Sequence, residues 1–127
     1  MRVLLFGYGR IGKNNARFLR AFGAEVLVYD PDESSNVERD GCCRVSKHEL
    51  LTSVSNVDAV FLCFHWSVSN HQFFGASYLN AMKNDSFLVN TSRGENLDEL
   101  HLMTLIENGK FSGVAHAASA LKHITHT

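Results

Sequence analysis

Three glycines near the start of the chain are spaced as a phosphate-binding loop requires. Residues 7–12 read Gly-Tyr-Gly-Arg-Ile-Gly, a G-x-G-x-x-G pattern that follows an apolar run and opens a helical one. The first glycine permits a tight turn, the second lets backbone approach a pyrophosphate, and the third allows close helix–strand packing. The pattern predicts a dinucleotide site, with a plain glycine turn as the alternative. The candidate cofactor-binding residues here are Gly7, Tyr8, Gly9, Arg10, Ile11 and Gly12.

An acidic residue stands where such a loop needs one. Asp30 follows the apolar run Glu25–Tyr29 and lies 18 residues after Gly12. A carboxylate there can accept hydrogen bonds from the adenosine ribose and would repel a 2′-phosphate, so the predicted cofactor is NAD rather than NADP. A surface aspartate in a local turn is the alternative. Arg10 and Lys13 are cations in a first helical turn, which is unfavourable unless an anionic ligand is bound.

A second polar segment, Asn90–Gly94, reads Asn-Thr-Ser-Arg-Gly at the end of another apolar run. The guanidinium of Arg93 could hold a substrate carboxylate through two parallel hydrogen bonds, beside groups able to meet a nicotinamide ring. From spacing alone, a surface ion pair explains Arg93 equally well. For His65, at the end of a further apolar run, lining a cleft is favoured over catalysis, because a base must also reach the substrate.

Short apolar runs alternate with helical patterns along the whole chain, which predicts βαβ units. We therefore expect an α/β fold, a Rossmann-type doubly wound parallel sheet of about six strands in three α/β/α layers. Ligands of such sheets lie outside the carboxyl ends of the strands, where the polar segments above fall. The predicted strands are Val3–Phe6, Glu25–Tyr29, Cys43–Val45, Asp58–Phe64, Ser86–Asn90 and Phe111–Ala117.

Apolar spacing and capping residues predict the helices. The helix over Arg10–Phe22 is expected to turn its large apolar residues toward the sheet. A capping-box pattern of Asn96 and Glu99 starts another helix, which ends at Asn108-Gly109. The residues expected on the two buried faces are Ile11, Phe18, Leu19 and Phe22 in the first and Leu97, Leu100, Met103 and Ile106 in the second. Smaller helices are expected at 36–40, after a capping box of Ser46 and Glu49, and over Tyr78–Lys83.

Size and charge narrow the classes of partner. The chain has 127 residues, 45% of them hydrophobic, which suits one domain with a core and excludes two. Its formal net charge of −1 encodes no general attraction to nucleic acid or to an anionic membrane. The apolar runs are too short for a signal peptide or a membrane span, so we expect a cytoplasmic protein with reduced cysteines. No metal site is expected, since His116, His123 and His126 lack a further placed ligand and suit an exposed tail.

A set of motifs runs in a fixed order from about Val3 to Ala115. They are Gly7–Gly12, Ala21-Phe22-Gly23, Tyr29-Asp30-Pro31, Leu50-Leu51 through Asp58-Ala59-Val60, Met82-Lys83, Asn90–Gly94, Asp98-Glu99 and Gly109–Gly113. In this order they resemble the NAD-binding domain of the D-isomer-specific 2-hydroxyacid dehydrogenases. Members of that family transfer hydride between NAD and 2-hydroxy or 2-keto acids. The resemblance implies an NAD-binding domain over residues 1–117 and a short divergent tail over 118–127.

The resemblance also implies a role for each candidate residue. Arg10 and Ile11 are expected at the pyrophosphate, and Asp30 at the adenosine ribose, with Tyr29 and Pro31 beside it as further cofactor-binding residues. The wall beside the adenosine is expected from Cys63, Phe64 and His65, and the residues near the nicotinamide are expected to be Thr91, Ser92 and Arg93. Arg93 matches the family's substrate-carboxylate arginine and is the one catalytic residue expected. The implied partners are a small 2-hydroxy or 2-keto acid and a second copy of the chain, because the family tends toward dimers built on this domain.

The chain also departs from the family. Relatives continue with Leu-Asp-Val and then supply a catalytic glutamate and histidine, whereas this sequence reads His116-Ala117-Ala118-Ser119 and matches neither catalytic residue. We therefore expect the polypeptide alone to bind NADH without turning over 2-keto acids. A truncated or frame-shifted gene is our hypothesis for residues 116–127. The alternative function is a nucleotide-sensing Rossmann module, which has no evident need for Asn90–Gly94.

Overall fold

The computed structural model describes residues 1–32, 34–64, 73–92 and 97–116. Strands and helices alternate along these residues, as the sequence predicted, except that no helix separates the second strand from the third. The strands are β1 (Arg2–Phe6), β2 (Glu25–Tyr29), β3 (Cys43–Arg44), β4 (Ala59–Leu62), β5 (Phe87–Asn90) and β6 (Gly113–His116). The helices are α1 (Arg10–Ala21), α2 (Leu50–Val54), α3 (Ala76–Ala81) and α4 (Glu99–Glu107), with a 3₁₀ turn over Lys47–Glu49 before α2. Within the described residues, no helix is both long enough and apolar enough to cross a membrane.

All six strands form one parallel sheet in the order β3-β2-β1-β4-β5-β6. The order reverses between β1 and β4, so the chain winds outward from the centre of the sheet in two directions. This is the predicted Rossmann-type topology, and the prediction of fold class is confirmed. A crevice for ligands is expected at the carboxyl ends of β1 and β4, where the winding direction changes.

Different helices cover the two faces of the sheet. α2, α3 and α4 pack on one face and share a core cluster with alternate strand residues. α1 and the segment 34–42 pack on the other face around a smaller cluster. Strands covered on both faces are apolar throughout, which explains their continuous hydrophobic runs. The first cluster includes Leu4, Phe6, Val60, Leu62, Leu88 and Val114, and the second includes Val3, Leu5, Val26 and Val28.

α1 packs on the sheet through small residues, contrary to the prediction. Gly12 and Ala16 are its buried residues. Of the predicted inward residues, Leu19 packs against the core, whereas Ile11, Phe18 and Phe22 are 48%, 63% and 88% exposed. A helix that approaches a sheet this closely has room only for small side chains on its inner side, so the large ones face outward. Size at the contact, rather than hydrophobicity, sets the orientation of this helix.

α4 begins and packs differently from the prediction. Its N-cap is Asp98, whose Oδ1 accepts a 3.1 Å hydrogen bond from the His101 N–H, and Asn96 lies outside the described residues. The helix buries Leu102 and Ile106, whereas Leu100, expected inside, is 77% exposed. Because the helix starts at Glu99, residues 102 and 106 face the sheet. Leu97 is buried as expected, but ahead of the helix, and Met103 is partly buried.

Smaller elements follow the sequence with local differences. The predicted helix at 36–40 is a single hydrogen-bonded turn that ends at Gly41, whose φ is +85°. The predicted Ser46 capping box is confirmed, since the Glu49 side chain accepts the Ser46 N–H at 2.9 Å. α3 begins at Ala76, after Gly75, rather than at Tyr78. Phe74 is fully buried and Phe73 packs against the core.

Candidate functional site

The carboxyl ends of five strands lie side by side. In the parallel register, Phe6 is paired with Tyr29 and with Leu62, Leu62 with Asn90, and Asn90 with His116. The residues that follow these strand ends therefore form one row along the edge of the sheet. Predicted site residues from separate parts of the sequence are brought together in this row, in the order Asp30, Gly7, Cys63 and Thr91.

Two glycines of the loop after β1 are required by packing within the protein. Gly7 has φ +105°, and a Cβ there would lie 2.7 Å from the backbone nitrogen of Phe64. A Cβ at Gly12 would lie 2.2 Å from the carbonyl oxygen of Gly7. Side chains at either position would therefore displace backbone. These glycines hold the loop, β4 and α1 together.

Gly9 has a different setting. Its φ of −80° and ψ of −157° suit any residue, and a Cβ there meets no described atom within 4 Å. Neither conformation nor packing among the described residues accounts for a glycine at this position. Gly9 lies at the start of α1, where N–H groups without helical partners face outward. The first turn of α1 contains Arg10 and no acidic residue, so an anion is favoured there.

Asp30 connects the glycine loop to the end of β2. Its Oδ2 accepts the Tyr8 N–H at 2.6 Å, and its Oδ1 accepts the Asp32 N–H at 2.7 Å. Each carboxylate oxygen accepts one hydrogen bond in this arrangement and retains capacity for a second. The side chain is half-buried at the edge of the sheet. It can therefore hold the loop and still accept hydrogen bonds from a ligand.

The side chain of Tyr8 points into the protein. It is 4% exposed, and its hydroxyl donates a 2.6 Å hydrogen bond to Oδ2 of Asp40. Burial, followed by the hydrogen bond to Asp40, raises the pKa of Tyr8 far above its ordinary value. Any contact between Tyr8 and a cofactor would therefore be made by its main chain. The ring instead attaches the loop to the segment 34–42.

A cavity of about 520 Å³ opens beside Asp30. Its lining includes Tyr29, Asp30 and Pro31, which the sequence predicted as cofactor-binding residues. This volume is ordinary for a small-molecule site. Sequence reasoning missed the other lining residues, because a capping box and a short strand indicate local structure and not a ligand site. These residues are Glu38, Arg44, Val45, Ser46, Lys47 and Glu49.

The predicted wall after β4 consists of Cys63 and Phe64 in the described residues, and His65 lies outside them. Cys63 is buried and accepts a 3.4 Å hydrogen bond from Asn15 Nδ2 at its Sγ. Burial raises the pKa of this thiol, which suits a packing residue and not a nucleophile. Phe64 is half-buried, with its ring 6.2 Å from that of Phe6. The wall is therefore apolar.

At the far end of the row, Thr91 and Ser92 are held by separate hydrogen bonds. The backbone nitrogen and Oγ1 of Thr91 both donate to the carbonyl oxygen of Leu62, at 3.0 and 3.2 Å. The backbone nitrogen of Ser92 donates to Oδ1 of Asn90 at 2.9 Å, and its hydroxyl donates to the same atom. Arg93, the predicted catalytic residue, lies outside the described residues. The turn that leads to it is well fixed.

The expectation that His116 is exposed like the other histidines near the C-terminus is wrong, although its place in the predicted last strand is correct. It is the last residue of β6 and is 8% exposed. Its Nδ1 lies 3.0 Å from Asn90 Nδ2, and its Nε2 lies 2.9 Å from Glu99 Oε2. The alternation of β6, in which Val114 and His116 share a face, is the sequence signal that could have placed it inward.

Metal ligands do not gather in the part of the chain that the structure describes. No group of three or more histidine, cysteine, aspartate or glutamate side chains there could hold a metal ion. His123 and His126 lie outside the described residues.

This chain is similar in sequence to several known proteins. Residues 1–117 match the sequence profile of the family described as D-isomer specific 2-hydroxyacid dehydrogenase, NAD binding domain. A D-lactate dehydrogenase of Treponema pallidum (strain Nichols) is 33% identical over 114 residues, which are 90% of this chain and 33% of that protein. A D-specific alpha-keto acid dehydrogenase of Enterococcus faecium is 36% identical over 115 residues, covering 91% and 33%. The chain spans about one third of the length of these curated relatives.

Solved structures agree in fold. A D-lactate dehydrogenase of Treponema pallidum superposes with a TM-score of 0.82 at 31% identity, covering 92% of this chain and 34% of that one. A D-lactate dehydrogenase of Aquifex aeolicus, crystallised with NAD and lactic acid, gives a TM-score of 0.82 at 29% identity, covering 90% and 33%. An NAD complex of a D-isomer specific 2-hydroxyacid dehydrogenase from Lactobacillus delbrueckii ssp. bulgaricus superposes with a TM-score of 0.83 at 28% identity. The match covers 94% of this chain and 35% of that one.

Proposed function

Because the chain belongs to the D-isomer specific 2-hydroxyacid dehydrogenase family through its NAD-binding domain, we propose that NAD lies along the carboxyl edge of the sheet. The adenosine lies beside β2, the pyrophosphate over the start of α1, and the nicotinamide beside β5. The in-register strand ends support this path, since they place the polar groups in one row. Family membership favours an oxidoreductase domain over a nucleotide-sensing module.

The adenosine end of this path is the cavity beside Asp30. The carboxylate accepts ribose hydroxyls with the capacity left after its bonds to Tyr8 and Asp32. Its negative charge disfavours a 2′-phosphate at the same place, which supports NAD over NADP. Tyr29 and Pro31, which line the cavity, and the apolar wall at Phe64 offer surfaces for the adenosine.

Gly9 is the single observation that carries the proposal. The loop around it is built for close approach, yet no described atom approaches Gly9 where a Cβ would stand. A pyrophosphate over the first turn of α1 explains both the glycine and the unopposed cation Arg10 in that turn.

Graded substitution at Gly9 tests this placement by calorimetric titration with NADH. We expect wild type to bind, Gly9→Ala to bind more weakly, and Gly9→Val to lose at least about tenfold in affinity, a change of about 1.4 kcal/mol. Thermal stability should change by no more than about 1 kcal/mol, the cost of a poorer helix cap. Asn14→Ala, on the exposed side of α1, is the matched control. NADH affinity that is unchanged in Gly9→Val would contradict the placement.

We propose that the whole protein oxidises or reduces a small 2-hydroxy or 2-keto acid. Bound NAD supplies the hydride acceptor or donor. Arg93 directly follows Ser92 in sequence, at the nicotinamide end of the row, and its guanidinium would orient the substrate carboxylate. For this polypeptide alone we expect NADH binding without turnover of pyruvate, because no residue matches the family's catalytic glutamate and histidine. Steady, pyruvate-dependent NADH oxidation that is lost in Arg93→Ala would contradict that expectation.

A second copy of the chain is the proposed protein partner. Ile11, Phe18 and Phe22 are exposed at helical spacing and form one apolar stripe on the outer side of α1. We expect Phe18→Ser to weaken self-association in sedimentation experiments, whereas Leu100→Ser, an equally apolar and exposed position on α4, should leave it unchanged. A monomeric wild type at all concentrations would contradict the dimer. The cytoplasmic location expected from the sequence remains a prediction.

A further inference from the structure

A chain of side-chain hydrogen bonds joins α4, β6 and β5 at the proposed nicotinamide end. Glu99 contacts Nε2 of His116, Nδ1 of His116 contacts Asn90, and Asn90 holds Ser92. Strand register aligns Asn90 with His116, and the first residue of α4 supplies the carboxylate. The loop motif Asn90–Gly94 does not predict a contact with His116, because the histidine lies on another strand.

The donor and the acceptor of every hydrogen bond in this network follow from the groups at its two ends. The Ser92 backbone N–H can only donate, so the Asn90 oxygen must face it and the Asn90 NH₂ must face His116. Nδ1 of His116 must then accept, which places the ring proton on Nε2. That proton is donated to Glu99, whose ionised carboxylate can only accept. One orientation of the amide and one tautomer satisfy all four groups.

Burial makes the alternatives costly. The His116 side chain is 1% exposed and that of Glu99 is 22% exposed, and Asn90 as a residue is 3% exposed. A rotated Asn90 amide would set its NH₂ against the Ser92 N–H and leave the ring nitrogen facing an oxygen. Buried polar groups without a partner cost more than the bond itself contributes. The network therefore fixes the Asn90 amide in the orientation that holds Ser92.

We infer that His116 is a positioning residue for the nicotinamide half of the cofactor. Through Nδ1 it fixes the Asn90 amide, and through that amide it fixes the Ser92 backbone and hydroxyl at the end of the row. Glu99 acts one step further out by fixing the tautomer of the ring. The inference rests on the proposed placement of NAD, which puts the nicotinamide over Thr91 and Ser92 and the adenosine at the opposite end.

The two ring contacts can be separated by substitution. Asn at position 116 places an acceptor where Nδ1 lies and keeps the contact with Asn90, whereas Gln places a donor near Nε2 and keeps only the contact with Glu99. Leu keeps neither contact and approximates the shape of the ring. The His116→Asn, His116→Gln and His116→Leu variants therefore form a matched set, each compared at a temperature below its measured unfolding midpoint.

The experiment compares the affinities of NADH and ADP-ribose, a fragment with the adenosine and pyrophosphate but no nicotinamide. We expect His116→Leu and His116→Gln to bind NADH about 3- to 10-fold more weakly, the worth of one or two hydrogen bonds. We expect His116→Asn to stay within about twofold of wild type for NADH, and all three variants to do so for ADP-ribose. The NADH emission maximum should shift in the first two variants only.

Each other outcome decides against the inference. Equal losses for NADH and ADP-ribose would show that His116 only supports the fold. Equal NADH affinities in all three variants would show that the Asn90 contact has no influence on the nicotinamide. Failure of the wild-type chain to bind ADP-ribose would overturn the proposed placement of NAD, and this inference with it. Because that result needs no substitution, it is distinguished from a failure of the inference about His116 alone.

Discussion

The two ends of the carboxyl edge hold their polar groups by different means. At β1 and β2 main-chain contacts hold the polar groups, because Gly7 and Gly12 pack against main-chain atoms and Asp30 accepts hydrogen bonds from two backbone N–H groups. At β5 and β6 hydrogen bonds between the side chains of Asn90, His116 and Glu99 hold the polar groups. The first end resists substitution by sterics and the second by the matching of donors and acceptors.

This difference predicts different responses to substitution. A side chain added at Gly7 or Gly12 must move backbone, so it costs stability before it affects binding. A side chain changed at the β5 end alters hydrogen bonds and can be replaced by another group with the same donors and acceptors. Substitutions at the β1 end should therefore lower mainly the stability, and substitutions at the β5 end mainly the ligand affinity.

The largest expected effect is the replacement of Gly12 by Ala. A Cβ there would lie 2.2 Å from the Gly7 carbonyl oxygen, a backbone atom that cannot rotate away. We expect a loss of about 3 kcal/mol or more in the free energy of unfolding, which lowers the midpoint of thermal unfolding by about 10 °C.

Gly9→Ala is the matched control, because the same methyl group meets no described atom within 4 Å. Its unfolding midpoint should stay close to wild type, apart from the small cost at the helix cap. Equal destabilisation by the two alanines would mean that the loop is not held by close packing at Gly12.

Next in size is the loss of the Asp30 carboxylate. Asp30→Asn should weaken NADH and ADP-ribose equally, by about 10- to 100-fold, because hydrogen bonds to a charged acceptor are worth about 1.5–3 kcal/mol. The preference for NADH over NADPH should also fall, since the repulsion of a 2′-phosphate is removed. Titrations with the three ligands measure this. A variant that loses NADH but keeps ADP-ribose would place the adenosine elsewhere.

A smaller effect is expected at Tyr8, whose ring belongs to the packing and not to the proposed ligand path. Tyr8→Phe removes the hydrogen bond to Asp40, which is exposed and regains water, so we expect a loss of about 1 kcal/mol in stability. NADH affinity should be unchanged. Reduced affinity with unchanged stability would contradict the inward placement of the ring.

The same variant has a pH signature. Burial raises the pKa of Tyr8 in the folded protein, so the folded state keeps its proton to higher pH than the unfolded state. The contribution of Tyr8 is therefore complete below the ordinary tyrosine pKa of about 10 and is lost as pH rises above it. Denaturant titrations from pH 8 to 11 should show a smaller alkaline loss in Tyr8→Phe. Some alkaline loss of stability should remain in Tyr8→Phe, because burial also raises the pKa values of Tyr29 and Tyr78.

The end built from backbone was the one that could be predicted from sequence. Glycine spacing and the aspartate after β2 are local patterns with few physical solutions, and the structure brings Gly7, Gly12 and Asp30 together as expected. The His116 network could not be predicted in this way, because it depends on the register of β5 with β6 and on where α4 begins.

α1 shows a second limit of sequence patterns. Its large apolar residues predicted the inner face, but only the small residues Gly12 and Ala16 are buried there, and of the large ones only Leu19 packs against the core. Hydrophobic periodicity indicates that a helix has an apolar side, and it does not distinguish a side that meets the core from one that meets a partner. Phe18, which is 63% exposed, belongs to the outer side.

Asp58, at the opposite edge of the sheet, is expected to show the smallest effect. Like Asp30 it accepts a backbone N–H, from Arg2 at 2.8 Å, and it also pairs with Lys83 at 2.6 Å. The hydrogen bond from Lys83, then that from Arg2, lowers the pKa of its carboxyl, but the side chain is 41% exposed. Solvent screening therefore limits the loss in Asp58→Asn to about 0.5–1 kcal/mol at pH 7.

The sign of its pH dependence is opposite to that of Tyr8. A lowered pKa in the folded state contributes stability above the ordinary aspartate value of about 3.9, and that contribution disappears as pH falls below it. Wild type and Asp58→Asn should therefore differ at pH 7 and converge in denaturant titrations under acid conditions. NADH affinity should be equal in both. A loss of NADH affinity in Asp58→Asn would show that binding follows general stability, because Asp58 lies across the sheet from every proposed ligand contact.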